Sequence, residues 1–141
     1  MTKLIALTPD FHVAANVTAG DVPGLAGDGY AAVIAVAPDT DGVGESRDVR
    51  EAAGRNGLAF SHIPVLAGLI TDEQVAAFSQ ALDAAQGPVL AYCHSGLRAV
   101  LLWALARQDE LGREHVVEAA RNAGFEIAAY MDDDEEALLA A

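Results

Sequence analysis

Cysteine is almost absent from this chain: Cys93 is the only one among 141 residues. An internal disulfide is excluded, and so is a zinc site built on repeated Cys/His spacing. Any chemical importance of Cys93 rests on its own thiol. Positive charge is also scarce, with 8 Lys and Arg against 21 Asp and Glu and a formal net charge of −13. Binding a phosphate backbone needs clustered cations, so nucleic acid is not an expected partner. Long apolar runs are missing too. Although 52% of the residues are hydrophobic, no uncharged stretch approaches the ~20 residues of a spanning helix, so no membrane partner is expected. The opening "MTKLIALTPD" has one basic residue and a brief apolar stretch before Pro9 and Asp10. That is too little for a secretory signal, which makes a cytoplasmic location the expectation.

No repeat, linker or low-complexity segment divides the chain, which reads as one domain over residues 1–141. The acidic "DDDEE" at 132–136 is expected to be a solvated tail, fraying from about residue 131. An apolar run at Leu4 to Leu7 is followed by "TAGDVPGLAGDGY", where Thr18 is a plausible N-cap for a short helix. "AAVIAV" at 31–36 reads as a buried parallel strand, and the turn after it carries Asp39 and Asp41. "ESRDVREAAGRNG" has the polarity of a surface helix ending on Gly57, and "LAFSHIPV" resembles a strand stopped by Pro64. Thr71 before Asp72, Glu73 and Gln74 marks another helix start. "VLAY" is then a short central strand, "AVLLWALARQ" a buried helix, and "REHVVEAARNAG" an amphipathic helix ending at Gly124. Strands alternating with helices predict a three-layer α/β fold, a mostly parallel central sheet flanked by helices.

In open α/β sheets, ligands bind where strands run into the following helices, and Cys93 stands at such an end in "VLAYCHSGLRAVLLWALA". Residues His94, Ser95, Gly96, Leu97 and Arg98 form the expected anion-binding loop: backbone N–H groups curl inward above a helix N-terminus, and Gly96 permits the turn. Such a loop favours the thiolate, and its expected effect is to bring the Cys93 thiol below the ~8.5 of free cysteine, making it a nucleophile. Arg98 is suited to grip a tetrahedral oxyanion through two parallel hydrogen bonds. An isolated cysteine is often just a small apolar filler. A structural loop, however, has no need of thiol, glycine and arginine together.

The loop "VLAYCHSGLRA", with "FSHIPVLAGLITDEQVAAF" before it and "LTPDFHVAANVTAGDVPGLAGDGYAAVIAVAPD" near the N-terminus, resembles the phosphatase-like domain of beta-lactamase-hydrolase-like proteins. This bacterial family is also labelled a domain of unknown function or a sulfur transferase. The resemblance extends to about Phe125. It implies a fold like the tyrosine and dual-specificity phosphatases, with Cys93 as nucleophile and Arg98 as the phosphate-binding arginine. Two departures stand out. Four residues separate Cys93 from Arg98, where tyrosine phosphatases have five and many rhodanese-like sulfurtransferases have four. Ala37, Pro38, Asp39 and Thr40 stand where family members commonly carry an arginine and an acidic, glycine-containing stretch.

A phosphatase also benefits from a general acid. Asp72, in the segment where the resemblance places one, and Asp39, at a strand end, are the candidates; first-turn capping and turn formation are their competing roles. His62 could neighbour the loop or be structural, Trp103 reads as core, and His12 and His115 show no chemical partner in sequence. The leading expectation is a cysteine-dependent phosphatase acting through a cysteinyl-phosphate, on a phosphorylated small molecule or protein, with no metal or organic cofactor. The alternatives are a rhodanese-like sulfurtransferase using a Cys93 persulfide with a sulfur donor and acceptor, and a non-catalytic anion-binding module. Oligomeric state stays open.

Overall fold

A computed structural model describes residues 3–38, 46–66 and 69–131. Five strands form one sheet: β1 (Leu4–Thr8), β2 (Phe11–Ala14), β3 (Ala32–Ala35), β4 (Ala59–His62) and β5 (Val89–Tyr92), in the spatial order β1-β2-β5-β3-β4. β1 runs antiparallel to β2, and every other pairing is parallel. The helices are α1 (Val22–Gly27), preceded by a 3-10 turn, α2 (Ser46–Arg55), α3 (Asp72–Ala84), α4 (Leu97–Leu111), α5 (Arg113–Asn122) and α6 (Ala128–Met131). Because strand side chains alternate between faces, β2, β3 and β5 each feed two cores. Phe11, Val13, Ile34, Val89 and Ala91 pack with residues of α3, α4 and α5, while Ala14, Val33, Leu90 and Tyr92 pack with α1 and α2. The result is the expected three-layer architecture.

β5 lies at the centre, and all four of its residues are buried. This explains its uninterrupted apolar sequence: a parallel strand covered on both faces has no solvent side. The apolar α4 has a matching cause, since Ala99 through Ala104 are all buried between the sheet and its helical neighbours. Trp103 is core as expected, stacked on Phe11 with ring centroids 5.7 Å apart, and Phe78 meets Phe11 edge-on at 5.9 Å.

β2 is a strand that the sequence pattern does not reveal. It is only four residues long, and its pattern is not a clean alternation because both Val13 and Ala14 are buried. Its strand character comes from position, between β1 and β5, reached through a turn in which the Thr8 hydroxyl accepts from the Asp10 and Phe11 N–H groups. His12 on this strand has a partner after all. Its Nδ1 lies 2.5 Å from the Tyr30 hydroxyl, and burial, with the Asp28 carboxylate adding to it, raises the phenol above its ordinary value. The phenol therefore stays protonated at neutral pH and donates to the imidazole.

Thr71 starts α3 as expected: its hydroxyl accepts from Gln74 N–H, and the Gln74 side chain accepts from Thr71 N–H. The acidic segment at 132–136 and the Asp39 turn lie outside the described residues.

Candidate active site

Cys93 follows the last residue of β5, and its backbone N–H donates to the Ala14 carbonyl at the end of β2 (3.3 Å). The chain then turns from strand to helix within four residues, which requires a left-handed conformation. Gly96 supplies it with φ of +89° as the N-cap of α4. The turn brings the Gly96 N–H to within 3.1 Å of the Cys93 sulfur, which accepts the hydrogen bond. The neighbouring Leu97 N–H goes instead to the Ser95 hydroxyl at 3.3 Å, which closes the loop on itself. The side chains of His94 and Ser95 face solvent, whereas Cys93 is fully buried at 0% exposure. Any reagent reaching the sulfur therefore requires the groups covering it to move aside.

Arg98 is on the first turn of α4, and its Nη1 donates to the Val65 carbonyl at 2.6 Å. This uses one of the five guanidinium donors and fixes the plane of the fork. The preceding carbonyl, Pro64, accepts from Gln74 Nε2 of α3 at 3.0 Å. One two-residue stretch thus holds the first turn of α4 on one side and the first turn of α3, with Asp72, on the other. Asp72 itself is exposed on that turn. Cys93, Gly96 and Arg98 are brought together by the loop; Asp72 shares their edge of the sheet through this stretch, and Asp39 lies outside the described residues.

His62 is structural. One ring nitrogen lies 3.2 Å from the Ala37 carbonyl and the other 3.4 Å from the Ser46 hydroxyl. The carbonyl can only accept, so Nε2 carries the proton and Nδ1 receives the hydroxyl hydrogen. The ring ties the chain after β3 to the start of α2. His115 is exposed on α5. Among the described residues no group of three His, Cys, Asp or Glu is placed to hold a metal ion. A cavity of about 490 Å³, lined by Phe11, Val89, Trp103 and Arg107 among others, opens at the opposite edge of the sheet, where β2 and β5 begin.

The sequence signal could not show the backbone partners Ala14 and Val65, because a carbonyl acceptor leaves no mark on residue type. Nor did it show Phe125, whose ring abuts Gly96: a Cβ built on Gly96 would stand 3.2 Å from Phe125 Cζ. Gly96→Ala is therefore expected to combine left-handed strain with crowding against that ring, destabilising the fold by about 1–3 kcal/mol. Urea unfolding would check this; an unchanged midpoint would mean that the loop relaxes without cost.

Comparison with known proteins places the chain by family and fold. A beta-lactamase hydrolase-like protein of Agrobacterium fabrum is 30% identical over 131 residues, which is 90% of this chain and 30% of that protein, so the chain spans about a third of its relative's length. Among solved structures, nma1982 of Neisseria meningitidis superposes with a TM-score of 0.76 at 26% identity, covering 95% of this chain and 94% of that one. Two more distant structures share the fold. The kinase associated phosphatase, solved with its catalytic-site cysteine replaced by serine, has a TM-score of 0.72 at 14% identity, covering 100% and 96%. A cysteine-to-serine form of P. aeruginosa TpbA in complex with pTyr has a TM-score of 0.66 at 21% identity, covering 97% and 88%. The sequence model of the beta-lactamase hydrolase-like protein, phosphatase-like domain, matches residues 3–110. With a mostly parallel sheet, a cysteine loop at its central strand and this match over most of its length, the chain belongs to the family of beta-lactamase hydrolase-like phosphatase-like domains.

Proposed function

We propose that this domain is a cysteine-dependent phosphatase that hydrolyses phosphate monoesters through a cysteinyl-phosphate. The observation that carries this reading is the Gly96 N–H directed at the Cys93 sulfur, at the end of the central strand, with Arg98 anchored on the next helical turn. In the first step the Cys93 thiolate attacks phosphorus in line with the ester oxygen. An S–P bond forms, the P–O bond breaks, and the leaving oxygen takes a proton from an acid or from water. Arg98 holds the non-bridging oxygens, as a charge-assisted donor aimed at developing negative charge. In the second step water attacks phosphorus, the S–P bond breaks, inorganic phosphate leaves and the thiolate returns. A phosphorylated substrate is also supported by the pTyr bound to TpbA.

Asp72 is the candidate general acid. It lies in the first turn of α3, where its charge also complements the helix dipole. Asp72→Asn is expected to slow hydrolysis of a nitrophenyl ester far less than Cys93→Ser does, because nitrophenolate departs with little help. An alkyl phosphate widens the difference if Asp72 is the acid, up to the ~10²–10⁴-fold that a positioned acid contributes. Loss as complete as that of Cys93→Ser on both esters, in a folded variant, would make Asp72 the catalytic acid outright.

Sulfur transfer is the second reading, favoured by the four residues between Cys93 and Arg98. In it the thiolate takes the outer sulfur of thiosulfate as a persulfide, releasing sulfite, and cyanide then removes that sulfur as thiocyanate. Assaying an aryl phosphate beside thiosulfate with cyanide, with Cys93→Ser as control, separates the two. Cysteine-dependent phosphate release supports the first reading, and cysteine-dependent thiocyanate alone overturns it.

A further inference from the structure

Gly96 provides the N–H that reaches the Cys93 sulfur, yet it has no side chain with which to hold itself in place. Two neighbours fill the space where a side chain would stand. A Cβ built on Gly96 would lie 3.2 Å from Phe125 Cζ and 3.6 Å from Phe125 Cε1, and 3.8 Å from the Ala14 carbonyl oxygen, itself the acceptor of Cys93 N–H. Phe125 belongs to the segment joining α5 to α6, beyond the residues matched by the family model.

That segment is pinned from both directions. Phe125 N–H donates to the Ala120 carbonyl at 2.8 Å, and Gly124 N–H to the Arg121 carbonyl at 3.0 Å, with Gly124 at φ of +101°. After the ring, an exposed Arg121–Glu126 pair spans the turn at 3.0 Å, and Ile127 is fully buried. The backbone of this segment is thus held in place, and the half-buried Phe125 ring lies beside the one loop residue with the greatest backbone freedom.

We propose that Phe125 is a positioning residue for the nucleophile: its ring fills the space beside Gly96 and thereby keeps the Gly96 N–H on the Cys93 sulfur. Without the ring, Gly96 can swing into the vacated space, its N–H leaves the sulfur, and the thiolate loses a donor. This rests on the reading of Cys93 as the nucleophile, but not on whether phosphorus or sulfur is transferred.

The test compares wild type, Phe125→Ala, Phe125→Leu and Phe125→Tyr in two measurements, both made below each variant's melting temperature. The first is the pH profile of Cys93 alkylation by iodoacetamide; its plateau reports access to the buried sulfur, and its midpoint reports ionisation. The second is kcat and KM with an aryl phosphate. The expected result is a midpoint moved to higher pH in Phe125→Ala and Phe125→Leu, a kcat roughly tenfold lower with a smaller change in KM, and recovery of both by Phe125→Tyr, which keeps the ring. Should Phe125→Ala fail to fold, Phe125→Leu carries the comparison. A midpoint unchanged from wild type in the folded variants overturns the inference, because a merely structural ring would alter melting and access but not ionisation. If wild type hydrolyses no aryl phosphate, the phosphatase reading falls while the alkylation midpoint still decides the role of Phe125.

Discussion

Cys93→Ser is expected to hydrolyse an aryl phosphate at least ~10⁴-fold more slowly than wild type while keeping its fold. The serine hydroxyl is smaller than the thiol, and at this buried position its oxygen can still accept from the Gly96 N–H. What it cannot do is ionise: an alcohol is a weaker acid than a thiol by many orders of magnitude, and one backbone donor does not close that gap. Phosphate binding is expected to survive and even to tighten, because the variant removes a negative charge that would face the anion. Steady-state rates with tryptophan fluorescence as a fold check, and phosphate titration by calorimetry, would measure both effects. Activity within an order of magnitude of wild type would place the chemistry on another residue.

Arg98→Lys is expected to lower kcat/KM by roughly 10²–10³-fold, the usual cost of losing one donor to a developing oxyanion. Arg98 has one Nη1 donor committed to the Val65 carbonyl at 2.6 Å, and its planar fork is what lets the same group also present a second face to an anion. A lysine ammonium is a point donor on a flexible stem, and it cannot span both contacts. Losing the Val65 bond would also loosen the tie between α4 and the stretch leading to α3, at about 1 kcal/mol of stability. Protection of Cys93 from alkylation by inorganic phosphate isolates anion binding from turnover. Protection equal to wild type in Arg98→Lys would assign the arginine to architecture alone.

Much of the fold was legible because its causes are local. The continuous apolar run of β5 and the nearly all-apolar α4 can only be central, and the Thr71–Gln74 capping box fixes where α3 begins. The candidate loop was legible for a related reason: cysteine, glycine and arginine at that spacing after a buried strand combine a thiol, a left-handed turn and an anion grip. No sequence signal separates β2 from a loop, because four residues with an irregular burial pattern become a strand only when β1 and β5 flank them. His62 is a similar case. Its residue type allowed a place at the site, and the hydrogen bonds to Ala37 and Ser46 assign it to architecture.

The sequence by itself determined the alternation of strands and helices, the central place of Val89 to Tyr92 and the loop from Cys93 to Arg98, since each follows from periodicity, turn chemistry and the properties of single side chains. Only the tertiary structure decided what holds that loop: the Ala14 carbonyl, the Val65 carbonyl and the Phe125 ring come from three distant stretches of chain. Two of these contacts use backbone oxygens that every residue carries, and the third is the tip of a ring beside a glycine. Their partnership is set by where the folded chain puts them, and one-dimensional spacing has no way to encode that.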